Sequence, residues 1–119
     1  MLIDQGTVIM DYLDQTIFVL ELVGDITAAS EGALIQAYQT ASEKGARILV
    51  LDFSRLAYMN SSGIGLLVTM LVRAKRQNQK MAAVGLDDHY RQIFNLTRLN
   101  EAIPICSDMS EALVILDAR

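Results

Sequence analysis

The sequence has 119 residues, the length of one domain, and 52% of them are hydrophobic, which favours a folded chain with a buried core over a disordered one. Its 14 acidic and 10 basic residues give a formal net charge of −4, without the basic face that nucleic-acid binding requires, so we expect no nucleic-acid partner. The single cysteine, the absence of a signal-peptide pattern at the start and the lack of an apolar run of ~20 residues predict a cytoplasmic protein without direct membrane insertion.

The first half of the chain predicts an N-terminal hairpin, a helix and a buried strand. Alternating and β-branched residues indicate two strands joined by a tight turn at Asp14-Gln15. Apolar residues at helical spacing follow, and Gly45 is placed to cap that helix. A continuous apolar run ending in Asp52 is typical of a strand covered on both faces. In chain order these elements are strands at 7–13 and 16–23, a helix at about 28–44 and a strand at 47–52.

The second half predicts further alternation of helices and strands. After a connector at 53–59, Asn60 and the serines that follow it open a helix, Asp87-Asp88 starts a short helix, and Asp108 is placed to cap the last one. The predicted elements are a helix from 60 to about 78, a strand at 81–85, a short helix from 87, a short strand at 103–106 and a last helix after Asp108. The order β-β-α-β-α-β-α-β-α predicts an α/β domain with a mixed, mainly parallel sheet, an N-terminal hairpin and about four helices.

The turn ahead of the second helix concentrates the candidate functional residues. Oxygens of Asn60, Ser61 and Ser62 can accept hydrogen bonds from free amides of the first helical turn. Gly63 and Gly65 lie in or beside that turn, although glycine costs ~1 kcal/mol in a helix interior. The glycines indicate that something approaches the backbone closely there. From these residues alone, a helix cap with glycines that ease packing is the simpler interpretation.

The stretch from Ile48 to Leu66 resembles the signature of STAS domains, especially of anti-sigma factor antagonists. An apolar strand ends in Asp, and a Met-Asn-Ser-Ser-Gly-Ile-Gly turn follows at 59–65. Gly24-Asp25 and the segment 93–99 are also similar to the family, so the resemblance covers nearly the whole chain. It implies one STAS-like domain over residues 1–119.

The same resemblance implies a regulatory function. In this family the first serine of the motif, here Ser61, is phosphorylated by an anti-sigma factor that is also a serine kinase; Ser62 is the second choice. The unphosphorylated antagonist binds the kinase, the phosphorylated one releases it, and a serine phosphatase resets the cycle. A phosphate adds ~1.5–2 negative charges, which a helix N-terminus tolerates and a docked partner does not. We therefore expect a partner-switching protein that is not an enzyme and needs no cofactor.

The expected partner-binding residues surround this serine. They are Asn60, Ser61, Ser62, Gly63, Ile64, Leu66, Met70, Asp25 and Thr27. Leu66 and Met70 fall outside the main apolar stripe of the helix, so they either extend an exposed surface or belong to a helix buried on most sides. Asn60 stands where the family usually has Asp, and Thr27 where an acidic residue is common.

Other residues and functions complete the predictions. Asp25 and Asp52 could orient the Ser61 turn, but no His or Cys ligand accompanies them and we predict no metal site. Cys106 is expected to be an inert small hydrophobe. Two other functions fit the sequence: a cytosolic STAS accessory subunit of a membrane transport complex that is not phosphorylated, and a small enzyme with Ser61 as nucleophile. A serine nucleophile needs a base beside it, and the sequence has no histidine near the motif.

Overall fold

The computed structural model describes residues 3–4 and 8–116, so Thr7, where the first strand is predicted to begin, lies outside the described residues. The strands are β1 (Ile3–Asp4), β2 (Val8–Asp14), β3 (Ile17–Leu22), β4 (Gly24–Ile26), β5 (Ile48–Asp52), β6 (Leu56–Met59), β7 (Lys80–Val84) and β8 (Ile105–Cys106). The helices are α1 (Glu31–Glu43), α2 (Ser61–Arg76), α3 (Asp88–Leu96), α4 (Leu99–Ala102) and α5 (Met109–Ile115), with a 3₁₀ turn at Ala28–Ser30.

Within the described residues, six strands form one mixed sheet in the order β1-β2-β3-β5-β7-β8. The pairs β1–β2 and β2–β3 are antiparallel, whereas β3–β5, β5–β7 and β7–β8 are parallel. The parallel pairs are connected through helices, as crossover connections require. The predicted α/β fold with an N-terminal hairpin and a mainly parallel sheet is therefore confirmed.

The central strand β5 explains why its sequence is continuously apolar. Leu49 and Leu51 pack in the cluster that α1, α2 and α3 cover, while Ile48 and Val50 pack in the cluster that α5 covers. Successive side chains of a strand point to opposite faces, so a strand with helices on both faces needs apolar residues at every position. The strand ends at the edge of the sheet where the candidate serine lies.

The hairpin turn and the first helix differ slightly from the predictions. The turn comprises Gln15 and Thr16, one residue later than predicted, because Asp14 still pairs with Ile17. The first helix does not start at 28: Thr27 caps a 3₁₀ turn, and α1 begins only at Glu31. Both differences are shifts of the ends of elements whose type was predicted correctly.

The connector predicted at 53–59 and the break predicted at Gly24 contain strands. β6 and β4 pair with each other in parallel as a separate two-stranded sheet. The structure also has a short helix, α4, between α3 and β8, so the described residues contain five α-helices where about four were predicted. None of the helices in the described part of the chain combines the length and apolar character needed to cross a membrane.

Candidate functional site

The small sheet of β4 and β6 brings the two predicted parts of the site together. Asp25 lies opposite Tyr58 and Ile26 opposite Met59 in the parallel register. The Asn60 N–H donates to the carbonyl of Ile26 over 3.4 Å. Parallel strands end at the same edge, so the residues after β4 and those opening α2 lie side by side. The structure thus places Asp25 in the strand beside the Ser61 turn.

Asn60 is the N-cap of α2. Its Oδ1 accepts from the Gly63 N–H at 3.0 Å, and its carbonyl accepts from the Ile64 N–H at 3.0 Å. An amide oxygen caps a helix as well as a carboxylate does, so the fold does not need Asp at this position. Ser61 is therefore the first residue of α2, as predicted, with Ser62 directly after it. Both serines are exposed.

Gly63 is required by packing inside the chain. A Cβ built on it would lie 2.4 Å from the carbonyl oxygen of Ile26 and 2.7 Å from the Met59 Cγ. The first turn of α2 can approach the end of β4 only because this side chain is missing. Gly63 is buried, so it determines how closely α2 approaches β4 and offers no exposed surface to a partner.

The placement of Leu66 and Met70 on a partner surface is wrong. Leu66 is 7% exposed and Met70 0%, and both belong to the main hydrophobic cluster beneath α2. Of the two interpretations that the sequence left open, burial is the one found. Ile64 is half-buried and packs against the same cluster. The apolar residues of α2 surround most of the helix, so its inward direction was not evident from their spacing.

The exposed side of α2 carries a different set of residues. We call it the outer face of α2, and it consists of Ser61, Gly65, Val68, Thr69 and Val72. Val68 and Val72 are 43% and 45% exposed although both are apolar. The sequence contains a signal for this face. Val72 lies four residues before the charged residue Arg76, and residues four apart lie on the same side of a helix.

Thr27 and Asp52 are engaged in local turns. The Thr27 hydroxyl accepts from the Ala29 N–H at 3.2 Å, and its own N–H donates to the Ser30 hydroxyl at 3.0 Å, which forms a capping box. Asp52 accepts from the N–H and the hydroxyl of Ser54. These bonds tie the Asp52 side chain to the turn that follows β5, so the prediction that it orients the Ser61 turn is not supported. The Asp25 side chain is exposed.

Tyr90, which the sequence placed only in a short helix, contacts the site. The Met59 N–H donates to its hydroxyl oxygen at 2.8 Å, and Tyr90 is 5% exposed. The two residues are 31 positions apart in the chain, and no local pattern could have paired them. Another tyrosine, Tyr58, is 52% exposed on β6 just ahead of the serine turn.

The chemistry available elsewhere is limited. Among residues 3–4 and 8–116, no group of three His, Cys, Asp or Glu side chains could hold a metal ion. Burial raises the pKa of the Cys106 thiol, and the carboxylates of Glu111 and Asp108 raise it further. A protonated, buried thiol is a poor nucleophile, in keeping with the inert role predicted for Cys106.

Comparisons with known proteins place the chain in a family. A family model described as "Mlab, STAS domain" matches residues 13–113. The anti-sigma-B factor antagonist of Listeria monocytogenes is 27% identical over 95 residues, which cover 80% of this chain and 79% of the relative.

Solved structures show the same fold. An anti-sigma factor antagonist from Mycobacterium paratuberculosis has a TM-score of 0.78 at 22% identity, with 93% of each chain covered. SpoIIAA in its unphosphorylated form has a TM-score of 0.74 at 16% identity, and Bacillus SpoIIAA in its phosphorylated form 0.72 at 17%; each match covers 94% of this chain and 99% of the other. With the family match over most of its length, the chain belongs to the STAS domain family, and it is similar to anti-sigma factor antagonists.

Proposed function

We propose that this chain is an anti-sigma factor antagonist that binds a serine-kinase anti-sigma factor and is released when Ser61 is phosphorylated. The observation that carries the proposal is an exposed serine at the first position of α2, in the family to which the chain belongs. A serine phosphatase then restores the binding form. The relatives named as anti-sigma factor antagonists support the class of partner.

The electrostatics at Ser61 suit a phosphate switch. The N-terminus of α2 carries a partial positive charge, which stabilises a phosphate on its first residue. Asn60 supplies the capping oxygen without the negative charge that Asp would place beside the phosphate. Phosphorylation therefore leaves the fold intact while it adds ~1.5–2 negative charges to the surface around Ser61.

The outer face of α2 is the proposed docking surface for the kinase. It begins at Ser61 and continues through Gly65, Val68 and Val72, so a partner that covers these residues also covers the phosphate position. Among the described residues, nothing beyond the adjacent backbone of α2 itself lies within 4 Å of a Cβ built on Gly65, so packing against other elements there does not explain this glycine. Close approach of a partner backbone explains both the glycine and the exposed valines beside it.

The direct test measures binding of Ser61 variants to the cognate anti-sigma kinase by isothermal titration calorimetry. Ser61→Asp should stay folded and lose at least about tenfold in affinity, since it buries an unpaired charge at the docked surface. Ser61→Ala should bind like the unaltered protein, because Asn60 and not Ser61 caps α2. Ser62→Asp places the same charge one residue further along the helix, at the second candidate serine, so comparison of the two variants shows which serine is the switch.

Equal affinity of Ser61→Asp and the unaltered protein would contradict the switch. Tight copurification with an ATPase subunit, without phosphorylation, would then favour an accessory subunit of a membrane transport complex. Covalent labelling of Ser61 by a fluorophosphonate would instead favour the enzyme with a serine nucleophile. Ser62→Asp losing affinity while Ser61→Asp does not would move the switch to the second serine.

A further inference from the structure

The hydroxyl of Tyr90 hydrogen-bonds to the backbone of β6, as a neighbouring strand would. It accepts from the Met59 N–H at 2.8 Å and lies 3.5 Å from the Met59 carbonyl oxygen, to which it can donate. β6 pairs with β4, and among the described residues the small sheet has no third strand. A buried N–H without an acceptor costs free energy, so the tyrosine hydroxyl stabilises the end of β6.

The position of this hydroxyl is fixed by the start of α3. Asp87 caps α3 by accepting from the Tyr90 N–H at 3.0 Å. One turn later, Phe94 packs edge-on against Phe53, with ring centroids 6.0 Å apart. The cap fixes the first turn of α3, and the aromatic contact holds α3 against the residue that follows β5, so the Tyr90 ring enters the core at a defined place.

Met59 connects Tyr90 to the serine turn. Met59 is followed directly by Asn60, which caps α2, and the Met59 Cγ lies 2.7 Å from the position that a Cβ on Gly63 would take. The same methionine thus contacts Tyr90 through its backbone and the first turn of α2 through its side chain. A shift of Met59 would move both the cap and the turn that carries Ser61.

We infer that Tyr90 is a positioning residue for phosphorylation: its hydroxyl holds the Met59 backbone so that Ser61 is presented in the geometry that a kinase requires. The inference rests on the proposed function, in which Ser61 is the phosphate acceptor. It adds α3 to the elements that determine the switch, although α3 offers no residue to the outer face of α2.

The test compares Tyr90→Phe with Tyr38→Phe. Each change removes one buried tyrosine hydroxyl, and the Tyr38 hydroxyl bonds to Gln79 at 2.7 Å and to Gln77 at 2.9 Å, at the opposite end of α2. Tyr38→Phe therefore controls for the general loss of stability. In Tyr90→Phe, hydrogen-exchange protection of the Met59 amide should fall about tenfold, and the NMR signals of residues 60–63 should shift. In Tyr38→Phe, both should stay unchanged.

Kinetics with the cognate anti-sigma kinase supply the functional readout. At a temperature where both variants are folded, Tyr90→Phe should lower kcat for Ser61 phosphorylation and leave KM near its original value, because the outer face of α2 is untouched. Unchanged signals of residues 60–63, or equal kcat for the two variants, would overturn the inference. Failure of the unaltered protein to be phosphorylated would count against the proposed function, while the NMR comparison would still decide whether Tyr90 positions the turn.

Discussion

Gly63 and Gly65 are two residues apart in α2, yet the structure gives them opposite roles. Gly63 lies against the Ile26 carbonyl and the Met59 side chain, while Gly65 faces open space. Gly63→Ala should destabilise the domain by about 1–3 kcal/mol, since overpacking has this cost. Gly65→Ala should stabilise it by up to about 1 kcal/mol, because alanine is the better helix former.

Thermal unfolding and partner binding together test this pair of variants. Gly65→Ala is expected to raise the melting temperature and to weaken binding to the anti-sigma kinase, since its methyl group occupies the docking surface. The opposite outcome for stability, with Gly65→Ala less stable than Gly63→Ala, would show that the packing of α2 has been misassigned. A stable Gly65→Ala that binds normally would remove Gly65 from the docking surface.

Cys106 makes stability depend on alkaline pH. Burial and two nearby carboxylates raise its pKa in the folded state, whereas an unfolded thiol titrates at about 8.5. Above that pH the unfolded chain loses a proton that the folded chain retains, so the free energy of unfolding should fall as pH rises, by at most about 1.4 kcal/mol per pH unit.

The measurement compares urea unfolding of the unaltered protein and of Cys106→Ala between neutral pH and pH values above the unfolded thiol pKa. Other groups titrate in both proteins, so the difference between their slopes isolates the cysteine. A steeper loss in the unaltered protein is expected. Identical slopes, or a native thiol that reacts with a disulfide reagent as fast as a free cysteine, would show that Cys106 is not protected.

At the level of a single element, α2 has buried residues that determine stability and exposed residues that we propose bind the partner. Met70 is fully buried and Val72, two residues later, is 45% exposed. Met70→Glu should destabilise the fold by several kcal/mol, because it buries an unpaired charge. Val72→Glu should change stability by no more than about 0.5 kcal/mol, since it is exposed and precedes Arg76 by four residues.

Binding is then compared in the variant that keeps its fold. Val72→Glu, with a melting temperature close to that of the unaltered protein, should bind the kinase more weakly because it puts a charge on the outer face of α2. A clear loss of thermal stability in Val72→Glu would mean that this residue is part of the core. Normal binding by a stable Val72→Glu would exclude it from the interface.

The same helix shows why some elements could be predicted from sequence and others could not. The start of α2 is encoded locally by Asn60, whose capping oxygen acts three residues away. The strands β4 and β6 are three and four residues long, and each acquires its pairing from a segment about thirty residues distant. Short strands that pair only with each other leave no periodic signal, so they were predicted as a break and a connector.

At the scale of the whole molecule, the alternation of five strands of the main sheet with four helices, and the covering of β5 on both faces, followed from hydropathy together with turn and cap residues. The short elements β1, β4, β6 and α4 were not predicted. The position of Ser61 at a helix start also followed from sequence, as did the start of α3 near Asp87 and the capping of α5 by Asp108. The inward direction of α2 did not, because apolar residues occupy most of its circumference. The contact between Tyr90 and Met59 depends on how α3 docks, which is a tertiary property.

In the proposed switch, phosphate on Ser61 separates this protein from its partner. The most direct test of this switch is incubation with the cognate anti-sigma kinase and ATP, followed by mass-spectrometric mapping of the peptide that contains both serines. We expect phosphate on Ser61 and loss of the phosphorylated form from the complex. Phosphate on Ser62 alone would relocate the switch by one residue. The absence of phosphate from both serines, together with undiminished binding by Ser61→Asp, would contradict the proposed switch.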